Sequence, residues 1–458
     1  MKASRYNLFV HHKPDNVFIG FNGVSGGVLI FTPAQYDAAQ KIIQDPNQTL
    51  SDKEIDLKNM LVHCRFLIDD KIDEIKILKV RNNLARHNSL RLGLIIAPTL
   101  LCNFECPYCY VDRSKIKMGD EVIEKIKKFV LHKLEHITSL QVCWTGGEPL
   151  LVLDVVEELN HFFIKETSDR QKNFSCSMVT NGYLLDLEHI DRIKGCGITS
   201  IQITLDGYKE YHDKCRCTIG GGETYEKILN NVVSATKNGL NIMLRSNLNL
   251  DNWEGIFKLI DDLTTRDINR KMLKFTPCKV VGKSNTPGLC NLFSTEEFAK
   301  IEPQIIEYAL KAGIATNIID MGTIQTFCGA NRIATYVIDP YTNLLKCWCN
   351  LGDSKNNNIG FIKDNGEDAI DFPAFAEWVG WDPFELEECK NCRVLPLCLG
   401  GCKYYNLSEK TNCTEIGCTH RKYNLEEMLR LYYLNLTKYN PLQVENENTL
   451  QTKDSKLS

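Results

Sequence analysis

The chain has no excess of positive charge. Its 54 Lys and Arg face 58 Asp and Glu, a net charge of −4. That balance argues against nucleic acid or an anionic membrane as a partner. No apolar run reaches the ~18 residues of a membrane-spanning helix. The opening MKASRYNLFVHH has no apolar signal core, which predicts a cytoplasmic protein. Internal repeats are also lacking. Apolar content of 43% and charged content of 24% are ordinary for a globular chain, and 458 residues allow two or three domains.

Cysteine is abundant, with 20 residues. A reducing cytosol disfavours structural disulfides. Dense, regularly spaced cysteines in a long intracellular chain therefore point to metal or cluster ligands. A secreted, disulfide-rich protein would need a signal peptide.

Residues 1–90 read as a unit. YNLFVHH, NVFIGFN and GGVLIFT are β-prone runs separated by turn residues. Two helical stretches follow, PAQYDAAQKIIQD with Pro33 in its first turn, and SDKEIDLKNMLVHCRFLI with a Ser51–Glu54 capping box. Three strands and then helices predict a winged-helix-like module. From Leu92 onward LGLIIA, LQVCWT, FSCSMVT, SIQITL, NIMLRSN and LKFTP alternate with helical patterns, which argues for a parallel α/β sheet. Six units are too few for an eight-unit barrel. Ligands of such sheets bind at the C-terminal strand ends. From residue 321 to about 425 short strands, turns and cysteines dominate. A helix and the polar, disorder-prone NENTLQTKDSKLS complete residues 426–458.

The first strand of the α/β region leads into LLCNFECPYCYVDR, with thiols at Cys102, Cys106 and Cys109. A structural zinc needs four closed ligands. Three thiolates on one loop instead suit three irons of a [4Fe–4S] cluster whose fourth iron stays open. CNFECPYC resembles the C-x3-C-x-aromatic-C signature of radical S-adenosylmethionine (SAM) enzymes. TGGEPLL, TNGYLL and LDGYKEYHDKCR follow the next three strands and resemble later motifs of that family. The resemblance implies a partial (β/α)6 radical SAM barrel over 91–320. It also implies SAM contacts at Tyr108, Gly146, Gly147, Glu148, Asn181 and Arg216: Glu148 near the amino group, Arg216 near the carboxylate, and the glycines allowing close backbone approach. Met178 and Ile203 are expected to be core. Cys215 and Cys217 are expected to be ordinary thiols, as are Cys64, Cys143, Cys176, Cys196, Cys278 and Cys290. His11 and His12 are expected at a solvated strand end.

CKNCRVLPLCLGGC, with Cys328 and Cys347 upstream and Cys418 downstream, resembles the seven-cysteine SPASM domain, which holds two auxiliary [4Fe–4S] clusters. The resemblance implies Cys328, Cys347 and Cys402 for the first cluster and Cys389, Cys392, Cys398 and Cys418 for the second. Cys413 competes with Cys418. The first cluster is left either with an open iron or with Cys349 as a fourth ligand. Where the family's turn before the second cysteine carries Gly, this chain has Thr342. A structural zinc knuckle at 389–402 is the plainer alternative.

Together these resemblances imply three [4Fe–4S] clusters and a maturase of a ribosomally made precursor peptide. A 5′-deoxyadenosyl radical would abstract hydrogen, and a thioether or C–C cross-link would form. The front module resembles a leader-peptide recognition element, which takes the leader as an added strand. A flavodoxin or ferredoxin would supply electrons. One alternative is a sulfatase-type maturase forming formylglycine; another is a non-catalytic, zinc-stabilised interaction protein. Asp251, Asp320 and Asp353 are candidate acids that the sequence does not rank.

Overall fold

The computed structural model describes residues 1–111, 114–280, 291–316, 324–407 and 417–439. The front of the chain folds as expected, into the antiparallel sheet β1 (Asn7–His12), β2 (Val17–Asn22) and β3 (Val28–Phe31). Val10 faces Ile19, and Phe21 faces Val28. Helices α1 (Pro33–Gln44) and α2 (Asp52–His63) follow. Ser51 N donates to Glu54 Oε2 at 2.9 Å, as the capping box requires. A third helix, α3 (Glu74–Arg86), was not expected; Asp73 caps it by accepting from Lys76 N.

Both faces of this small sheet are covered. Leu29 and Phe31 pack with Ala39, Ile42, Leu61 and Phe66. Val10, Ile19 and Phe21 pack with Ile306, Leu310, Val394, Leu425 and Met428 from far along the chain. That is why NVFIGFN is nearly all apolar and does not alternate. It also corrects the expectation for His12. Only 6% of it is exposed, and its ring lies 5.1 Å from the Tyr433 ring. The C-terminal helix covers that end of β1.

The six expected strands all form: β4 (Arg91–Ile96), β5 (Ser139–Trp144), β6 (Asn173–Thr180), β7 (Ser200–Thr204), β8 (Asn241–Leu248) and β9 (Leu273–Lys279). They pair in parallel and in chain order. Helices α4 (Asp120–Leu134), α5 (Leu153–Asp169), α6 (Leu187–Gly195), α7 (Lys209–Cys215), α8 (Tyr225–Lys237), α9 (Gly255–Thr265) and α10 (Thr295–Lys311) lie between or after them. Leu92, Leu94 and Ile96 of β4 and Leu140, Val142 and Trp144 of β5 share one core with Ile126, Phe129 and Val130 of α4. Met178 and Ile203 belong to it too, as expected. The alternate residues, among them Cys143, Ser177, Gln202, Arg245 and Asn247, are half-buried on the other face.

The sheet is larger than six strands. The two-residue β10 (Ala315–Thr316) adds to β9. Beyond β4 lie β11 (Thr335–Ile338), parallel to it, and then the antiparallel β12 (Asn343–Leu345), β13 (Gly360–Ile362) and β14 (Asp368–Ile370). The cysteine-rich segment thus continues the central sheet. Helix α11 (Arg421–Leu434) packs on α10, where Arg421 and Asn424 both donate to the buried Glu302.

Candidate functional site

The cysteine loop leaves the C-terminal end of β4 and is tied down on three sides. Leu100 N donates to Ile116 O at 3.1 Å, Glu105 N to Cys217 O at 3.1 Å, and Ile219 N to Asn103 O at 3.0 Å. The third tie is the loop after β5. There Gly147 N donates to Thr99 O and Glu148 N to Leu101 O, at 3.0 and 2.8 Å. Gly146 has φ +119°, and a Cβ on either glycine would overlap a carbonyl of 99–101. These glycines therefore let the cysteine loop itself cross the strand end closely.

Cys102 and Cys106 are half-buried and Cys109 is exposed. Burial first, and then neighbouring charges that include Cys109, push the Cys102 thiol up to about 11 and the Cys106 thiol up to about 12. The three thiols thus lie within electrostatic reach of one another. Among the described residues no three His, Cys, Asp or Glu side chains converge on a point suited to one metal ion. Each thiolate of a [4Fe–4S] cluster takes a different iron, so convergence of that kind is a requirement of zinc and not of the cluster.

Glu148 is fully buried and joins two strand ends. Its Oε1 accepts from Thr180 Oγ1 at 2.7 Å and Leu150 N at 3.0 Å, and its Oε2 accepts from Asn181 N at 2.8 Å. Asn181 Nδ2 reaches Asn103 Oδ1 at 2.8 Å, on the cysteine loop. Arg216 Nη1 donates to the Tyr108 hydroxyl at 2.7 Å and lies 3.7 Å from Asp206 Oδ2. Tyr108 donates to Asp206 Oδ2, and Asp206 Oδ1 accepts from Asn247 N. All six expected contact residues lie on the loops after β4 to β7. The Tyr108 hydroxyl joins Arg216 to Asp206. Asp206 was missed although its motif LDG was in view; it is fully buried and centres the polar network.

One donor in that network has no partner. Arg216 is 8% exposed, and its Nε is buried without a hydrogen bond. A buried guanidinium with a spare donor fits a carboxylate from a ligand. His212 anchors the turn beneath: Asp206 N donates to its Nδ1 at 3.0 Å, and burial holds its pKa well below the usual imidazole range.

Eight of the other described thiols sort into two groups. Cys347 is hydrogen-bonded to Cys349, which with burial raises its pKa; Cys328 and Cys402 also feel Cys349. Cys398 is pushed up to about 12 by burial and then by Cys418 and Cys389, and Cys389 in turn feels Cys418 and Cys392. Cys402 N donates to Gly417 O at 2.9 Å, and Gly401, at φ +74°, leaves room for that carbonyl. Cys413, Cys290 and Asp320 lie outside the described residues. Asp251 accepts from Asn291, and Asp353 from Asn356 and Asn357, so both are engaged in local contacts. Among the described residues no helix is long and apolar enough to cross a membrane.

Residues 96–260 match the model of the Radical SAM superfamily. A cysteine-type anaerobic sulfatase-maturating enzyme of Clostridium perfringens (strain 13 / Type A) is 26% identical over 71% of this chain and 92% of its own length. An Fe-coproporphyrin III synthase of Methanosarcina barkeri is 27% identical over 38% of the chain, which spans only 41% of that relative. Two solved structures share the fold. One is native anSMEcpe with bound AdoMet and Kp18Cys peptide, at TM-score 0.59 and 20% identity over 78% of this chain and 99% of that one. The other is Streptococcus suis SuiB bound to precursor peptide SuiA, at TM-score 0.53 and 14% identity over 90% of this chain and 98% of that one. A radical SAM domain implies SAM and a [4Fe–4S] cluster. Residues 96–260 of the chain are thus a radical SAM domain.

Proposed function

We propose that the chain is a maturase of a ribosomally made precursor peptide and that it installs a thioether or C–C cross-link. In this reading residues 1–90 recognise the leader, 91–320 are catalytic, and 321–425 are a SPASM domain holding two auxiliary clusters. The 426–458 segment is a C-terminal helix and tail. When bound, SAM and the cluster held by Cys102, Cys106 and Cys109 supply the means to break an unactivated C–H bond. Glu148 and Asn181 fix the strand-end loops. Arg216 Nε, buried and unpaired, is the observation that carries the SAM assignment, as receiver of the SAM carboxylate. A flavodoxin or ferredoxin supplies electrons.

What supports a leader is the front module. Strand β3 is at the edge of its sheet among the described residues. Beside it a cavity of about 260 Å³ is lined by Leu29, Asn59, Met60, His63 and Cys64. An added strand would gain backbone bonds at the edge and seat an apolar side chain in the cavity. The likeness to SuiB also extends over more of the chain than the likeness to anSMEcpe, 90% against 78%.

Formylglycine formation in a sulfatase is a second reading, favoured by the 92% coverage of the Clostridium relative. The two are separated by incubating the reduced holoenzyme and SAM with either the peptide of a neighbouring short reading frame or a sulfatase-derived Cys peptide. A cross-linked product from the former supports the maturase; formylglycine in the latter alone overturns it. Met60→Asp should weaken binding of the former peptide at least tenfold and leave peptide-free SAM cleavage unchanged. Cys349→Ala decides between an open iron, with cluster content unchanged, and a fourth thiolate, with the first auxiliary cluster lost.

A further inference from the structure

Helix α3 ends the front module, yet its inward side chains serve the other end of the chain. Asn82 is 2% exposed and Arg86 4%. Asn82 Nδ2 donates to Gln325 O at 2.8 Å. Arg86 Nε donates to Asn331 O at 3.4 Å, and Arg86 O accepts from Ile333 N at 2.9 Å. Cys328 lies inside the 325–333 stretch that these bonds grip. Arg86 Nη2 also donates to Trp381 O at 2.6 Å and to Val379 O. Trp381 packs against Gly400 so closely that a Cβ there would overlap its ring, and Lys403 Nζ lies 5.2 Å from that ring. Cys402 sits between those two residues.

One arginine thus binds carbonyls of two segments: at Asn331, three residues past Cys328, and at Val379 and Trp381, a stretch without cysteine whose Trp381 ring packs on Gly400, two residues before Cys402. Its hydrogen bonds go to carbonyl or amide oxygens and to no carboxylate, so its charge is spread over backbone dipoles that need it. Lys346 likewise bonds only backbone carbonyls: 1% exposed, it donates to Thr335 O at 2.6 Å and to Arg332 O. A guanidinium with a planar fork can hold several carbonyls at fixed angles; an ammonium or an amide cannot hold as many.

We infer that Arg86, assisted by Asn82, is a positioning residue for the first auxiliary cluster: it sets Cys328 and the Cys402 loop at ligating distance. The inference rests on the proposed assignment of Cys328, Cys347 and Cys402 to that cluster. Helix α3 is then part of the cluster's scaffold, and removing the whole front module would disturb more than peptide binding.

The test compares wild type, Arg86→Gln, Arg86→Lys, Asn82→Ala and Cys328→Ala as anaerobically purified full-length protein. Iron, acid-labile sulfide and the Mössbauer and EPR signatures of each are measured. Arg86→Gln should lose about four irons and the same spectral component that Cys328→Ala loses. Arg86→Lys should keep part of it, and Asn82→Ala should show a smaller loss. Should Arg86→Gln not fold, Arg86→Lys and Asn82→Ala carry the same comparison. A full wild-type signature in the Arg86 and Asn82 variants, with the component lost in Cys328→Ala, would overturn the inference alone. An unchanged signature in Cys328→Ala would overturn the ligand assignment, and the inference with it.

Discussion

The cysteine loop at 102–109 and the cysteines beyond 328 are built in different ways. The first is fastened by its neighbours in the same unit: Gly147 and Glu148 from the loop after β5, Asn181 from that after β6, and Arg216 after β7. The second is fastened from the far end of the chain, by Asn82 and Arg86, and by α11, whose Leu425 and Met428 share a core with Val394 and Cys392. A site held by adjacent strand ends can be written in short motifs. A site held across some 245 residues cannot, because no local spacing records the partner.

The sharpest way to break the comparison is to remove one thiol of the local site. Cys106→Ala should abolish 5′-deoxyadenosine formation while most auxiliary iron remains, because in the proposed assignment Cys102, Cys106 and Cys109 hold only the SAM-binding cluster. A variant that cleaves SAM at the wild-type rate would refute the loop assignment.

Next is the anchor of the C-terminal helix. Burial alone would raise the Glu302 carboxyl, but Arg421 and His420 prevail and hold it at about 2 against an ordinary 4.5. Its folded pKa lies below its unfolded one, so its stabilisation is complete above about 4.5 and is lost as pH falls towards 2. Arg421→Met leaves that charge with less compensation and should cost about 3 kcal/mol in chemical denaturation. The same titration repeated between pH 6 and pH 4 should show the variant's deficit shrinking.

Gly147→Ala sharpens the local side. A Cβ there overlaps Leu101 O, so the cysteine loop must shift, at about 1–3 kcal/mol. SAM cleavage should fall at least tenfold with auxiliary iron unchanged; an unchanged rate would show that the loop tolerates the shift.

The smallest effect is on the distant side. Thr342 has φ +69°, a left-handed conformation disfavoured for a β-branched residue. Its hydroxyl makes only a long contact, 3.4 Å to Ile362 O. Thr342→Gly should therefore raise stability by about 1 kcal/mol. A lower melting temperature would mean that the hydroxyl matters more than the strain.

The six parallel strands were legible because each is a short apolar run between turn residues, and the chemistry clusters at their ends. The Thr342 turn was visible too, as a departure from glycine. What the sequence hid was tertiary. Helix α3 has its apolar and polar residues interleaved, since Asn82 and Arg86 are buried for hydrogen bonding and look like surface residues in sequence. His12 reads as a strand end, and only the packing of α11 buries it. Strands β11 to β14 are three or four residues long, too short for periodicity to reveal that they extend the central sheet. Asp206 lay within a recognised motif, but its role appears only when Tyr108 and Arg216 meet over it.

The central claim is that these thiols hold clusters, one at the strand ends and two in the cysteine-rich region. Iron, zinc and acid-labile sulfide in the anaerobically purified chain test it directly. About twelve irons with matching sulfide are predicted. Zinc without sulfide would contradict the claim.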